Sequence, residues 1–256
     1  RDFCLSRGLG DVYKRQLFGR VNYNYMMRYM FMASFRYDGS SRFAKGNKWG
    51  FFPSVSLGWN IANEAFWEDL KETVSTFKLR MSYGALGNQN IGLYRYIPTL
   101  SYNTNTLNYP FGGRETSMGY AITSFPSSDI KWETTVYKNI GVDVSLWNNK
   151  LELSAEAYIK NTSDMLSSRN ISMATGYNTS ILVNDGKLRT TGFEMQAIYH
   201  GKAGGLKYDL DLNLSHYKSV LKSMANPDYL YEYGALRTYV GGEIGEFWVC
   251  STPTTA

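Results

Sequence analysis

The stretch Leu151–Lys160 reads LELSAEAYIK, in which every odd-numbered position is apolar and nearly every even-numbered position is polar or charged. Successive side chains of a β-strand point to opposite sides, so this alternation predicts a strand with one apolar and one polar face. In a water-soluble sheet the apolar face meets a core. In a transmembrane barrel it meets lipid, and the polar face lines a wet lumen.

The same alternation recurs in about eight segments along the chain. They are residues 17–25, 28–37, 51–61, 77–86, 134–146, 151–160, 188–199 and 206–217. Connections after the first, third, fifth and seventh segments are short, whereas those after the second, fourth and sixth are long. Barrels of the outer membrane have short periplasmic turns and long external loops. The exception is the connection at 63–72, for which we predict a short helix capped by Asn63.

Two further features favour lipid over a soluble core. Aromatic residues such as Trp59, Trp132 and Trp147 gather at the segment ends, as the interfacial girdles of a barrel do. The polar face carries mid-strand charges such as Arg80 and Asp143, which a water-filled lumen tolerates. We therefore predict an all-β fold, an antiparallel up-and-down meander that spans a membrane. A soluble all-β carbohydrate-binding module is the alternative.

The alternation also predicts which side chains face which environment. Lipid is expected to meet Val142, Val144, Leu153, Ala155, Leu210 and Leu212. The lumen is expected to meet Asp143, Ser154, Glu156, Asp211 and Asn213.

The ends of the chain lack this pattern. Residues 1–16 read as a non-native or artefactual string and residues 251–256 as an unpatterned tail, which leaves 17–250 as the predicted partial barrel. Both cysteines, Cys4 and Cys250, lie outside the alternating segments, so we expect no disulfide framework and no thiolate metal site there. The net charge of +5 gives little reason to expect nucleic-acid binding.

No enzyme is predicted, because no convergent catalytic constellation is found. The only two histidines, His200 and His216, stand in a predicted turn and near a strand end. Glu152 and Glu156 share a strand face, but lumen-facing charge explains them better than a glycosidase pair does. We expect no metal site and no cofactor.

A series of motifs in a fixed order carries a family resemblance. They are FGRVNY at 18–23, YDGSSRF at 37–43, WGFFPSVSLGW at 49–59, LRMSYG at 79–84, LGNQ at 86–89, KWETT at 131–135, NDGKLRTTGFE at 184–194 and, more loosely, VGGEIGEF at 240–247. Over roughly 17–248 the chain resembles the SusC/RagA-type TonB-linked outer-membrane transporters of Bacteroidetes.

The resemblance implies a location in the outer membrane of a Gram-negative cell and TonB-dependent uptake of oligosaccharides or peptides, in a SusCD-like complex with a SusD-like surface lipoprotein. It also implies that this chain is a partial arc of a large transmembrane β-barrel of about 22 strands. The plug region that contacts the TonB complex is absent, so the chain looks like an incomplete barrel fragment.

The long connection at 88–130 is rich in Tyr and Asn and is the candidate ligand site. Aromatic faces stack on the apolar faces of sugar rings, and amides bond to hydroxyls. An ordinary long external loop would have the same composition, and the sequence does not choose between oligosaccharide and peptide. The candidate ligand-binding residues are Asn88, Gln89, Tyr94, Tyr96, Tyr102, Asn103, Asn105, Tyr109 and Arg114.

Overall fold

The computed structural model describes residues 13–93, 95–102, 108–111, 115–118, 120–124, 126–170, 174, 180–224, 226 and 230–248. In chain order the strands are β1 (Lys14–Tyr25), β2 (Tyr29–Ser40), β3 (Trp49–Asn60), β4 (Val74–Asn88), β5 (Thr99–Tyr102), β6 (Asn108–Phe111), β7 (Glu115–Met118), β8 (Tyr120–Ser124), β9 (Glu133–Leu146), β10 (Leu151–Asn170), β11 (Ser180–Ala203), β12 (Leu206–Ser223), β13 (Leu230–Tyr233), β14 (Leu236–Tyr239) and β15 (Glu246–Phe247).

Eight of these strands form one antiparallel sheet in the order β1-β2-β3-β4-β9-β10-β11-β12. Strand β4 pairs with β9 across the long connection, and every other pair consists of strands that are consecutive in the chain. The predicted all-β up-and-down meander is therefore confirmed. Strands β1 and β12 are the two ends of the sheet.

Strands β10 and β11 extend well beyond the alternating segments 151–160 and 188–199. The ladder between β10 and β11 continues past Lys160 to the pair Asn170–Ser180, with register shifts between Thr162 and Met165 and a positive φ of 56° at Asp164. A ladder needs only paired backbone groups, whereas alternation needs two different solvents. The extension beyond Lys160 is therefore a strand because it is paired, and no alternation predicts it.

Short turns join strands at one end of the sheet. Met26 and Met27, at φ 51° and 56°, turn β1 into β2, and the Asn24 side-chain carbonyl accepts the backbone N–H of Met27 at 3.1 Å. The predicted turn at Asn148 and Asn149 is confirmed, with φ values of 53° and 63°.

The register sorts side chains into two faces, because residues directly opposite each other share a face. One row crosses seven strands and consists of Tyr23, Phe31, Leu57, Met81, Ile140, Ala157 and Phe193. Leu57, Met81 and Ile140 in its middle are 52%, 49% and 52% exposed. A soluble sandwich would bury this row, so the structure agrees with a lipid-facing surface.

The opposite face carries a charge cluster in mid-sheet. The Nε atom of Arg80 lies 2.8 Å from Asp143 Oδ2, and its Nη1 atom lies 3.6 Å from Glu156 Oε2. The Ser154 hydroxyl donates to Asp143 Oδ1 at 3.0 Å. These side chains share the polar face, as the alternation predicts.

The long connection at the short-turn end contains two 3₁₀ helices, Ile61–Asn63 and Ala65–Leu70, instead of the predicted helix at 63–72. Asn63 is not a cap. Its amide donates to the Met27 carbonyl at 2.9 Å, and the cap position of the second helix is Glu64, without a side-chain cap bond. The amide is committed to the neighbouring turn, which the sequence does not reveal.

Glu64 binds polar atoms of the aromatic strand ends. It accepts a hydrogen bond from Trp59 Nε1 at 3.0 Å and lies 3.4 Å from Arg28 Nη1. Its interactions with the Tyr29 hydroxyl, with Trp59 and with Arg28, of which the first is the strongest, hold the pKa of the Glu64 carboxyl below its usual range.

Strands β13–β15 form a separate three-stranded sheet next to the end of β12. The Leu221 N–H donates to the Gly242 carbonyl at 3.1 Å, and an isolated bridge pairs Val220 with Glu243. No helix in the described part of the chain has the length and apolar character needed to cross a membrane.

Candidate functional site

Three connections converge at the long-loop end of the sheet, namely residues 41–48, 89–93 and 126–132. The Arg42 guanidinium donates to the Ile91 carbonyl, and Trp132 Nε1 donates to the Lys48 carbonyl at 3.2 Å. A buried cluster lies between them, made of Phe43, Phe52, Ala85, Ile91, Ile130 and Trp132. We call this cluster the loop base, since it holds both ends of the long connection 89–132.

Aromatic rings dominate the loop base. Phe43 is 0% exposed, its ring centroid is 5.1 Å from that of Trp132, and Phe52 packs edge-on to Trp132 at 5.5 Å. Gly87 is required beside them, because a Cβ at this position would lie 1.9 Å from the Phe52 ring. Burial of these rings fixes where the long loop leaves the barrel.

A single amide clamps the end of the long connection. Asn184 Oδ1 accepts the backbone N–H of Lys131 at 2.9 Å, and Asn184 Nδ2 donates to the carbonyls of Lys131 at 2.9 Å and Asp164 at 2.7 Å. The Lys131 ammonium also lies 3.0 Å from Asp164 Oδ1. The backbone of the long connection and that of β10 are thereby joined to β11.

Glu133 makes a second link. One of its oxygens accepts from Asn88 Nδ2 at 3.2 Å and the other from the Leu166 N–H at 3.4 Å. The Asn88 side-chain carbonyl accepts the N–H of Asn90 at 2.9 Å. The predicted ligand residue Asn88 is therefore engaged in holding the loop at its first residues.

The other predicted site residues have different positions. Gln89 is half-buried, and its Oε1 atom is covered without a hydrogen-bond partner among the described residues. Tyr96 is half-buried in a turn. Tyr94, Asn103, Asn105 and Arg114 lie outside the described residues.

Tyr102 and Tyr109 are in strands, not in irregular loop. Strand β5 pairs with β8, which sets Tyr102 opposite Tyr120, and β6 pairs with β7, which sets Tyr109 opposite Ser117. The long connection thus contains two nested ladders. Asn88 and Gln89 lie where the long connection begins, whereas Tyr102 and Tyr109 lie in its strands β5 and β6.

Sequence reasoning missed Glu133 and Asn184 as individual residues. Both residues lie in motifs, KWETT and NDGKLRTTGFE. Asn184 binds the backbone of the long connection at Lys131, and Glu133 binds the Asn88 side chain at the start of that connection and the Leu166 N–H of β10.

The polar face of the sheet adds an open concavity of about 420 Å³ whose lining includes Asn22, Lys78, Arg80 and Asn139. Among the residues that the structure describes, no three His, Cys, Asp or Glu side chains are grouped so as to hold a metal ion. The polar face therefore presents hydrogen-bonding and charged groups in this concavity.

The fold and these positions can be compared with known proteins. A family model described as "TonB dependent receptor-like, beta-barrel" matches residues 6–244. TonB-dependent receptor SusC of Bacteroides thetaiotaomicron is 39% identical over 181 residues, which are 69% of this chain and 17% of that protein. TonB-dependent receptor P39 of Formosa agariphila is 31% identical over 237 residues, 91% of this chain and 21% of that protein. The chain therefore spans about a fifth of the length of these relatives.

Solved structures show the same fold. The RagAB peptide transporter has a TM-score of 0.78 at 24% identity, covering 90% of this chain and 25% of its own. The siderophore receptor PirA from Pseudomonas aeruginosa has a TM-score of 0.51 at 15% identity, covering 84% of this chain and 38% of its own.

Proposed function

Because the chain belongs to the TonB-dependent receptor-like β-barrel family, whose members are outer-membrane proteins and not enzymes, we propose that it supplies the arc of a SusC/RagA-like receptor that carries a substrate-contacting external loop. The observation that supports the proposal is the loop base. It holds a long connection rich in tyrosine and asparagine at one fixed place on the barrel rim. The alternative of a soluble carbohydrate-binding module does not fit an outer-membrane family.

Oligosaccharides are the first substrate class that we propose. Tyr96, Tyr102 and Tyr109 offer rings that can stack on sugars, and the asparagines of the loop offer paired donors and acceptors to hydroxyls. Peptides are the second class, because the RagAB protein of the same fold is a peptide transporter.

The partners that we propose follow from the family. A SusD-like surface lipoprotein would cover the external loops, the TonB complex would act through a plug region, and lipid would surround the apolar face. The half-exposed row through Leu57 and Ile140 is the surface offered to lipid.

Calorimetric titration tests the proposal on the intact receptor, purified with its lipoprotein partner. A panel of defined oligosaccharides is titrated, then a panel of oligopeptides of similar mass. Saturable binding of one class, lost when residues 95–124 are replaced by a short Gly-Ser linker, supports the proposal. Binding that persists after this replacement assigns recognition to another part of the receptor.

A further inference from the structure

The connection 61–73 is the one long connection at the short-turn end, and the uptake function does not explain it. Its second 3₁₀ helix, Ala65–Leu70, leaves two large apolar side chains uncovered: Phe66 is 68% exposed and Leu70 is 50% exposed. Exposed apolar groups of this size on a solvent-facing turn are unfavourable, so a contacting surface is expected.

Ring packing places this helix on the outer side of the sheet. The Trp67 ring stacks on Phe77 with centroids 5.3 Å apart and planes at 18°. Phe77 is paired with Val144, which is paired with Leu153, so all three belong to the apolar face. The residue before the helix, Glu64, accepts from Trp59, which is on the same face.

The geometry of a 3₁₀ helix then orients Leu70. With three residues per turn, positions 67 and 70 lie one above the other. Leu70 therefore shares the side of Trp67, which is the side of the apolar face. The Phe66 ring lies edge-on to Trp67 with centroids 6.4 Å apart. The charged side chains of the segment, Glu68, Asp69, Lys71 and Glu72, are exposed.

We propose that residues 65–70 form an interfacial foot, which places Phe66 and Leu70 among phospholipids at the short-turn edge of the membrane. Its continuity with the apolar face through Trp67 and Phe77 selects lipid as the occupant. Trp67, whose ring has an apolar body and a polar N–H, is of the residue type enriched at membrane interfaces. The inference rests on the outer-membrane location of the family and not on the proposed substrate.

Site-directed spin labelling of the intact receptor in phosphatidylethanolamine–phosphatidylglycerol vesicles tests this inference. A nitroxide is attached at Leu70→Cys, and its collisions with oxygen, which concentrates in lipid, are compared with those with a water-soluble nickel chelate. Glu68→Cys is the control on the same helix, and Leu57→Cys reports the apolar face. We expect the oxygen-to-nickel ratio at position 70 to exceed that at 68 several-fold and to approach that at 57.

Three results would overturn the inference. Equal ratios at 70 and 68 mean that the foot is in water. Protection of position 70 from both reagents means that a protein surface covers it. A low ratio at 57 removes the lipid-facing assignment on which the foot depends. Phe66→Cys provides the same readout if the Leu70 variant does not fold.

Discussion

Asn184 and Lys131 exchange two hydrogen bonds of 2.9 Å, one from the Lys131 N–H to Asn184 Oδ1 and one from Asn184 Nδ2 to the Lys131 carbonyl. The amide satisfies both backbone groups of one residue, and its second proton binds the Asp164 carbonyl. A side chain with this pattern replaces a missing strand partner at the point where the long connection returns to the sheet.

Asn184→Ala should loosen the returning segment. Three hydrogen bonds are lost at about 0.5–1.5 kcal/mol each, and with partial solvent compensation we expect a local cost of about 1–3 kcal/mol. Hydrogen exchange of amides 126–132 in the intact receptor measures it. Asn161→Ala, which removes a single bond to Arg189, is the control. Unchanged hydrogen exchange at 126–132 would mean that Asn184 does not hold this segment.

Phe43→Ala should affect the same region more strongly. Phe43 is fully buried against Trp132, and truncation of a buried phenylalanine costs about 3–5 kcal/mol. We expect faster exchange at both ends of the long loop, with strand β12 unaffected. Phe35→Ala, at a 42% exposed position, is the control and should change little. If the two variants behave alike, the loop base does not hold the loop.

The two faces of the sheet should respond differently to charge. Val142→Arg on the apolar face should cost roughly 2–4 kcal/mol near mid-bilayer, whereas Asn213→Arg on the polar face should cost much less. Refolding of the intact receptor into lipid vesicles under urea titration compares them. The reverse order of costs would mean that the faces are assigned backwards.

Substrate binding should depend on the tyrosines of the long loop. Replacing Tyr94, Tyr96 and Tyr102 together by Ala should weaken binding by about 1–3 kcal/mol, given about 0.5–1.5 kcal/mol per aromatic contact and non-additivity. Calorimetry with the cognate ligand measures the change, and Tyr23→Ala on the apolar face is the control. Unchanged affinity together with normal barrel assembly would leave the loop as a docking surface for the lipoprotein.

Acid should weaken the attachment of the connection 61–73. The pKa of Glu64 is lower in the folded protein than its ordinary value of 4.5, so ionised Glu64 stabilises the fold at neutral pH. That stability is present above pH 4.5 and is lost as the pH falls below it toward the folded pKa. Glu64→Gln should show a smaller drop in Tm between neutral and acidic pH, whereas Glu68→Gln should follow the unmodified protein. Parallel curves for all three would contradict the assignment.

The main sheet could be predicted because its strands separate two solvents. The alternation over Leu151–Lys160 predicts β10. The turn before it is predicted by Asn148 and Asn149, a residue type that tolerates positive φ. The extension of β10 to Asn170 could not be predicted in this way, since its side chains do not alternate between two solvents. Leu166 packs against the loop base, and the pairing with β11 makes the segment a strand.

The candidate site was harder to predict for a related reason. Asn184 and Lys131 are 53 residues apart, and neither has a composition that signals the other. Tyr102 is in a strand only because Tyr120 lies opposite to it, a pairing that no local pattern marks. The motif series contains Glu133 and Asn184, but their roles depend on distances that only the folded chain provides.

The residues that hold the loop base, from Arg42 to Asn184, lie in one continuous stretch of the chain. Genetic exchange of this stretch between related receptors transfers the long loop together with its own loop base. Exchange of residues 95–124 alone places a foreign loop on the original loop base, and the hydrogen bonds of Glu133 and Asn184 stay unchanged. Because the stretch from Arg42 to Asn184 also contains strands β3, β4, β9 and β10, only the smaller exchange leaves the lipid-facing strands unchanged.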